Sequence, residues 1–194
     1  MRPSFLSGII SQIIKNKFKY LALSFVFLTG CMAGYYAVDG ISYSLAGTVQ
    51  SNLAARFSGD GSDAGAILLP IFFAGVVWLC GFSPAGLVLT PLLLLVGAGL
   101  QVFMFRIAVL DTDVGGGFLA VLCVPILFFW AVFGIYLSET SVENAAGLIA
   151  SRDLRLTFAE KAVIVNRKAK VYCFASFLYV LCSYFVFLIE RAIF

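Results

Sequence analysis

The sequence predicts an all-α protein, a polytopic membrane helix bundle with five transmembrane helices that forms a single membrane domain over residues 1–194. Apolar residues make up 62% of the chain and charged residues only 12%, whereas soluble domains contain about 45–50% and about 25% of these classes. Five apolar stretches each have close to the ~20 residues that a helix needs to cross a bilayer. Because lipid offers no partner to backbone N–H and C=O groups, we expect each stretch to be helical. The stretches are 20–38, 65–82, 86–105, 117–137 and 171–189.

The distribution of positive charge predicts how the bundle is oriented. Of the 13 lysines and arginines, four precede the first stretch, six lie between the fourth and fifth, and three lie elsewhere. With five crossings the first two groups fall on one side of the membrane, and the positive-inside rule assigns that side to the cytoplasm. We therefore expect a cytoplasmic N-terminus and an extracytoplasmic C-terminus in a bacterial cell membrane. The second and third stretches are joined by the uncharged residues 82–85, so this pair either crosses the membrane or enters and returns without crossing.

Residues 1–19 precede the first stretch and carry apolar side chains at helical spacing, from Phe5 to Phe18. This pattern predicts an amphipathic helix on the inner leaflet, with its lysines toward anionic lipid. The alternative is that these residues are only a basic segment that leads into the first transmembrane helix. A lipoprotein cleavage site before Cys31 is a further alternative, but the apolar stretch continues to Val38 and is long enough to remain as an anchor.

Two features within the stretches predict helix packing. Gly30 and Gly34 form a GxxxG pattern in the first stretch, which lets a second helix approach closely. Gln101 in the third stretch carries an amide that needs a hydrogen-bond partner in hydrocarbon. We expect Gly30, Gly34 and Gln101 to mediate packing between helices. For Gln101 the alternative is that its side chain lines a substrate path.

Residues 39–64 form the largest predicted external loop, and apolar residues recur at every fourth position within it. This spacing predicts a short amphipathic helix that ends before the turn-forming residues 59–62. The helix either packs on the protein's own bundle or contacts a partner protein. The candidate contact residues are Leu45, Val49, Leu53 and Phe57.

Residues 138–170 form the predicted cytoplasmic segment. Thr157 and Glu160 have capping-box spacing ahead of an apolar run, which predicts a helix that begins there and continues into the fifth stretch. The part of the segment before this helix is expected to be a loop. In this loop Arg152 and Arg155 are candidate contacts with a partner protein. The alternative is that the loop only connects two helices and has no function of its own.

The residues that most active sites need are missing from the five stretches. The stretches contain no Asp, Glu, Lys, Arg or His, and the whole chain has no histidine. An ionisable residue in the membrane normally marks an ion path or an active site, so we expect neither an ion-coupled carrier nor an intramembrane protease.

The 5 cysteines lie in or beside apolar stretches without a CxxC pair, which indicates buried side chains rather than a metal site. Phosphate-loop and dinucleotide-binding motifs are also missing. We expect no enzyme activity, no metal, no cofactor and no nucleic acid partner.

Four segments resemble the stage II sporulation protein M family, whose members are polytopic membrane proteins of similar length. They are the lead-in to the first stretch (NKFKYLALSFVFLTGCMAGYYAV), a tight hairpin (WLCGFSPAGLVL), a stretch built around a proline (VLCVPILFFWAVFGIYL) and the chain end (YFVFLIERAIF). The resemblance implies a non-enzymatic membrane component. In endospore formers such a component anchors two peptidoglycan-degrading enzymes from the outer side of the membrane. Relatives outside sporulation look like export or bacteriocin-maturation components and are often encoded beside ATP-binding-cassette subunits.

Two functions are therefore expected. The first is a non-enzymatic integral membrane scaffold that assembles with and positions partner proteins such as cell-wall hydrolases. The second is a permease-like subunit of an ATP-binding-cassette exporter, whose ATPase would bind the cytoplasmic segment. The expected partners are other membrane or cell-surface proteins and anionic lipid at the inner leaflet, with a homo-oligomer as a further assembly.

Overall fold

The structure, a computed structural model, describes residues 17–40, 47–48, 64–109, 114–150, 160, 163 and 168–193. Five long helices account for most of these residues, and no strand occurs among them. The helices are α1 (Lys17–Asp39), α2 (Ala64–Cys80), α3 (Gly86–Val109), α4 (Val114–Ala150) and α5 (Ala169–Ile193). The prediction of an all-α fold is confirmed for this part of the chain.

Four of the five helices are long and apolar enough to cross a membrane, which makes this a multi-pass membrane protein. The four segments are Lys17–Asp39, Gly86–Ile107, Val121–Ile149 and Ala169–Arg191. The second predicted span corresponds to α2, which has 17 residues and measures about 25 Å. Because α2 is shorter than the other four, its crossing of the membrane and the orientation of the termini stay predictions.

The outer surface of the helices is apolar, as a surface in contact with lipid must be. Each of the five helices has large apolar side chains that are at least 62% exposed. Examples are Leu21, Phe25, Phe72, Val121 and Phe177. Soluble proteins rarely expose so much contiguous apolar surface. The hydrophobic residues of the chain therefore serve two purposes, since one set faces the hydrocarbon and a smaller set fills the core.

An aromatic layer lies at the centre of the bundle and joins four helices. The Phe27 ring of α1 lies 5.7 Å from the Trp130 ring of α4, measured between centroids. Trp130 stacks at 5.6 Å on Tyr179 of α5, which stacks at 5.7 Å on Phe73 of α2. Aromatic pairs at these separations add attraction to the packing of the large rings. We call Phe27, Phe73, Trp130 and Tyr179 the aromatic layer.

A short turn joins α2 to α3, as the uncharged residues 82–85 predict. The backbone N–H of Gly81 donates to the Trp78 carbonyl at 3.0 Å, and the N–H of Gly86 donates to the Ser83 carbonyl at 2.9 Å. The turn satisfies the backbone groups at the ends of both helices. The two helices are therefore antiparallel neighbours at this end of the bundle.

Helix α4 is longer than the sequence predicts. The predicted fourth span ends at residue 137 and a loop follows, but α4 continues to Ala150. The prediction of a loop over 138–150 is wrong because this segment packs into the bundle, where Ala145 and Leu148 are 0% and 7% exposed. A buried loop would leave backbone polar groups without partners, and a helix satisfies them.

Candidate functional site

Helices α1 and α3 cross with their backbones close together, and Gly30 and Gly34 lie at the crossing. A Cβ added to Gly30 would come within 3.0 Å of the Leu95 carbonyl oxygen, and one added to Gly34 would come equally close to that of Gly99. Only glycine fits at either position, since a side chain would overlap backbone that cannot move aside. The two residues thus allow α1 and α3 to pack with their backbones in contact.

An ion pair joins α1 and α3 near their ends. The guanidinium of Arg106 bonds to the Asp39 carboxylate at 2.6 Å and also donates to the Tyr35 carbonyl. The Arg106 guanidinium carbon lies 3.8 Å from the centroid of the Tyr35 ring, within the range of a cation–π contact. These contacts fix the α1–α3 pair beyond the glycine crossing.

Gln101 links α3 to α5 near the same end of the bundle. Its Nε2 donates to Glu190 Oε1 at 3.3 Å. Glu190 is 8% exposed and lies within the candidate span Ala169–Arg191. The sequence places Glu190 one residue past the fifth stretch and predicts that it faces water, whereas in the structure its side chain is buried between helices.

A second buried carboxyl group lies at the opposite end of the bundle, surrounded by hydroxyl and amide side chains. Glu139 of α4 is 0% exposed, and its neighbours come from α1, α3 and α4. We call this group the Glu139 cluster. It consists of Tyr20, Thr90, Ser138, Glu139, Thr140, Ser141 and Asn144, all of which are at most 9% exposed. Five of these seven residues belong to the segment 138–170, which the sequence predicts to be cytoplasmic, and in the structure they form a buried polar cluster.

Hydrogen bonds in the Glu139 cluster connect three helices. The Tyr20 hydroxyl donates to Glu139 Oε2 at 3.2 Å, which joins α1 to α4. The hydroxyl groups of Thr90 and Ser141 lie 3.1 Å apart, which joins α3 to α4. Buried polar groups without partners are destabilising, so these pairs specify how the helices align.

Two further polar atoms in the Glu139 cluster lack a hydrogen-bond partner among the described residues. They are Ser138 Oγ and Asn144 Nδ2, both buried.

Beside the cluster, the Lys168 ammonium pairs with the Glu143 carboxylate, and this pair connects α4 to the start of α5. The described residues contain no group of three or more His, Cys, Asp or Glu side chains that could hold a metal ion. The hydrogen bonds of the Glu139 carboxyl group and of the hydroxyls around it hold the helices in alignment.

A cavity of about 360 Å³ lies between α2, α3 and α5. Apolar side chains make up most of its wall, which also includes Trp130 of α4 and Tyr179 of α5, and the polar residues Gln101 and Glu190 lie in the lining. We call this cavity the Glu190 groove. Its volume falls within the range of about 300–1,000 Å³ that small-molecule sites occupy.

The predicted partner contacts lie outside the described residues. They are Leu45, Val49, Leu53, Phe57, Arg152 and Arg155. The same holds for residues 1–16 of the amphipathic lead-in and for Thr157 of the capping box.

Sequence reasoning missed Tyr20, Thr90, Glu139, Ser141 and Glu190 as interacting residues. One signal was available for the Glu139 cluster. Residues 138–146 contain small and polar side chains but no glycine or proline, which is compatible with a helix that continues from the fourth stretch. No comparable signal identifies Glu190.

Comparison of the chain with protein-family models, with curated proteins and with solved structures finds no match.

Proposed function

We propose that the protein is a non-enzymatic scaffold of the bacterial cell membrane that assembles with partner proteins and positions them. The observation that supports this most is the aromatic layer, which fills the centre of the bundle between its two polar regions. The resemblance to the stage II sporulation protein M family points the same way, toward a component that anchors cell-wall hydrolases.

The two polar regions are far apart. Tyr20 of the Glu139 cluster and Gly34, beside the Gln101–Glu190 end, are separated by about 21 Å along α1. Phe27 lies midway and contacts Trp130, which in turn stacks on Tyr179. A path for ions or polar solutes needs polar side chains along its length. Packed aromatic rings between the polar ends favour a structural role over conduction.

Contacts with partner proteins fit two segments at opposite ends of the bundle. The external segment 39–64 begins where Asp39 and Arg106 fix the end of α1. The internal segment begins where α4 ends at Ala150, after a helix of 37 residues that is anchored by the Glu139 cluster. Both segments therefore start from rigid supports, which is what a protein that positions its partners requires.

The second candidate function is a permease-like subunit of an ATP-binding-cassette exporter. It is favoured by the buried carboxyl groups of Glu139 and Glu190, because ionisable residues among membrane helices commonly serve transport. In this case the segment after α4, which contains Arg152 and Arg155, would contact the ATPase. The long rigid α4 would then transmit movement from the ATPase to the bundle.

Gentle purification followed by identification of the bound proteins separates the two functions. We expect cell-wall hydrolases to copurify, and the double variant Leu53→Ala/Phe57→Ala to reduce their yield at least about fivefold, since truncating an interface anchor costs more than 1 kcal/mol. The double variant Arg152→Ala/Arg155→Ala should retain them. Lys17→Ala/Lys19→Ala is the matched control for the removal of two cations on the predicted inner side.

An ATPase that copurifies with the wild-type chain and is lost only from Arg152→Ala/Arg155→Ala would contradict the scaffold proposal and support the exporter.

A further inference from the structure

The Glu190 groove is open to the lipid phase along its side. Leu69 and Phe72 of α2 are 69% and 68% exposed, and Val96 and Leu100 of α3 are 53% and 59% exposed. All four residues line the groove as well. A molecule dissolved in the bilayer can therefore enter between α2 and α3 without passing through water.

The groove has the length of one lipid leaflet. Along α5 its lining runs from Tyr179 to Glu190, about 16 Å of helix. The hydrocarbon core of a bilayer is about 30 Å thick, so this length corresponds to roughly one acyl chain from the midplane to the headgroups. Glu190 is the penultimate residue of the candidate span Ala169–Arg191, at the end of the segment that can lie in hydrocarbon.

The polar end of the groove carries the carboxyl group of Glu190, with Gln101 beside it. Gln101 donates to Oε1 of Glu190, and Glu190 belongs to neither of the ion pairs Arg106–Asp39 and Lys168–Glu143. A buried carboxylate is stabilised when a cation with N–H donors approaches it, because charge-assisted hydrogen bonds are about twice as strong as neutral ones. A primary ammonium group offers three donors for Glu190 and for the carbonyl oxygen of Gln101.

We propose that the Glu190 groove binds one phospholipid with a primary ammonium headgroup, phosphatidylethanolamine, whose acyl chain fills the groove and whose ammonium pairs with Glu190. The occupied side is the leaflet next to the C-terminus of α5. This site is independent of the proposed scaffold function, because its lining comes from α2, α3, α5 and Trp130 of α4 and includes none of the predicted partner contacts.

Native mass spectrometry of the full chain, released from nanodiscs of equimolar phosphatidylethanolamine and phosphatidylglycerol with the same acyl chains, tests the proposal. We expect one retained phosphatidylethanolamine per chain, preferred about tenfold over phosphatidylglycerol because only its ammonium can donate hydrogen bonds to the Glu190 carboxylate. Glu190→Gln keeps the shape of the groove and should reduce the preference to less than about twofold. Asp39→Asn, which removes an exposed carboxyl group at the same end of the bundle, should leave it unchanged.

A second pair of variants tests the groove itself and does not depend on Glu190. Val96→Trp places a large ring in the groove and should abolish retention of phosphatidylethanolamine. Val88→Trp, on the same helix at a position 65% exposed outside the lining, should not. Equal retention of both lipids by the wild type, an unchanged preference in Glu190→Gln, or equal effects of the two tryptophans would overturn the proposal. A second copy of the chain or a peptide found in place of the lipid would overturn it too.

Discussion

Replacing Gly34 by leucine is expected to push α1 away from α3 and to lower the free energy of unfolding by about 3 kcal/mol or more. Even a Cβ at this position would come within 3.0 Å of the Gly99 carbonyl oxygen. Overpacking against side chains costs about 1–3 kcal/mol, and backbone yields less easily than side chains do. The variant Gly34→Leu should therefore lower Tm in detergent by about 6–12 °C.

Gly75→Leu is the matched control, because it introduces the same side chain into another helix of the bundle. A Cβ at Gly75 meets nothing within 4 Å, so its leucine should face lipid and change Tm by less than about 2 °C. If the two variants lowered Tm equally, the effect would come from the loss of glycine in a helix, and the close α1–α3 packing would not be what stabilises the bundle.

Removing the Glu139 carboxyl group is expected to lower the free energy of unfolding by about 2–4 kcal/mol. Glu139→Ala leaves a void at a position that is 0% exposed and deprives the Tyr20 hydroxyl of its acceptor. Both effects are destabilising, since a buried void and a buried donor without a partner each cost free energy. The loss can be measured by denaturation of the purified protein in mixed micelles.

Glu143→Ala is the matched control one helical turn further along α4. Glu143 pairs with Lys168, but the two side chains are 35% and 29% exposed, and such ion pairs contribute only about 0–1 kcal/mol. Tyr20→Phe should destabilise the wild type but have little further effect in Glu139→Ala, because the two groups share one hydrogen bond. Additive effects of Tyr20→Phe and Glu139→Ala would show that the hydrogen bond does not couple α1 to α4.

Hydropathy predicted the positions of the helices because lipid imposes apolar side chains on any segment that faces it. The stretch 20–38 corresponds to α1 (Lys17–Asp39) and the stretch 171–189 to α5 (Ala169–Ile193). The end of α4 could not be found in this way. At Ser138 the side chains become polar although the helix continues, because other helices rather than lipid surround it.

The candidate site was harder to predict because it depends on which helices are neighbours. A GxxxG pattern in α1 indicates close packing, but the sequence does not say that the partner backbone belongs to Leu95 and Gly99 of α3. Glu190 follows directly after an apolar stretch, where a carboxylate normally faces water. In the structure it is buried and accepts a hydrogen bond from Gln101 on another helix, and 89 residues separate the two in the chain.

The orientation of the helices is tested most directly by labelling single cysteines in intact cells with a membrane-impermeant maleimide, in a background where the five native cysteines are replaced by alanine. We predict that Gly40→Cys and Arg191→Cys are labelled in intact cells, and that Ser83→Cys and Lys168→Cys are labelled only after the membrane is permeabilised. This pattern requires α2 and α3 to cross the membrane completely. Labelling of Ser83→Cys or Lys168→Cys in intact cells, or protection of Gly40→Cys, would contradict the five-helix topology on which the proposed scaffold depends.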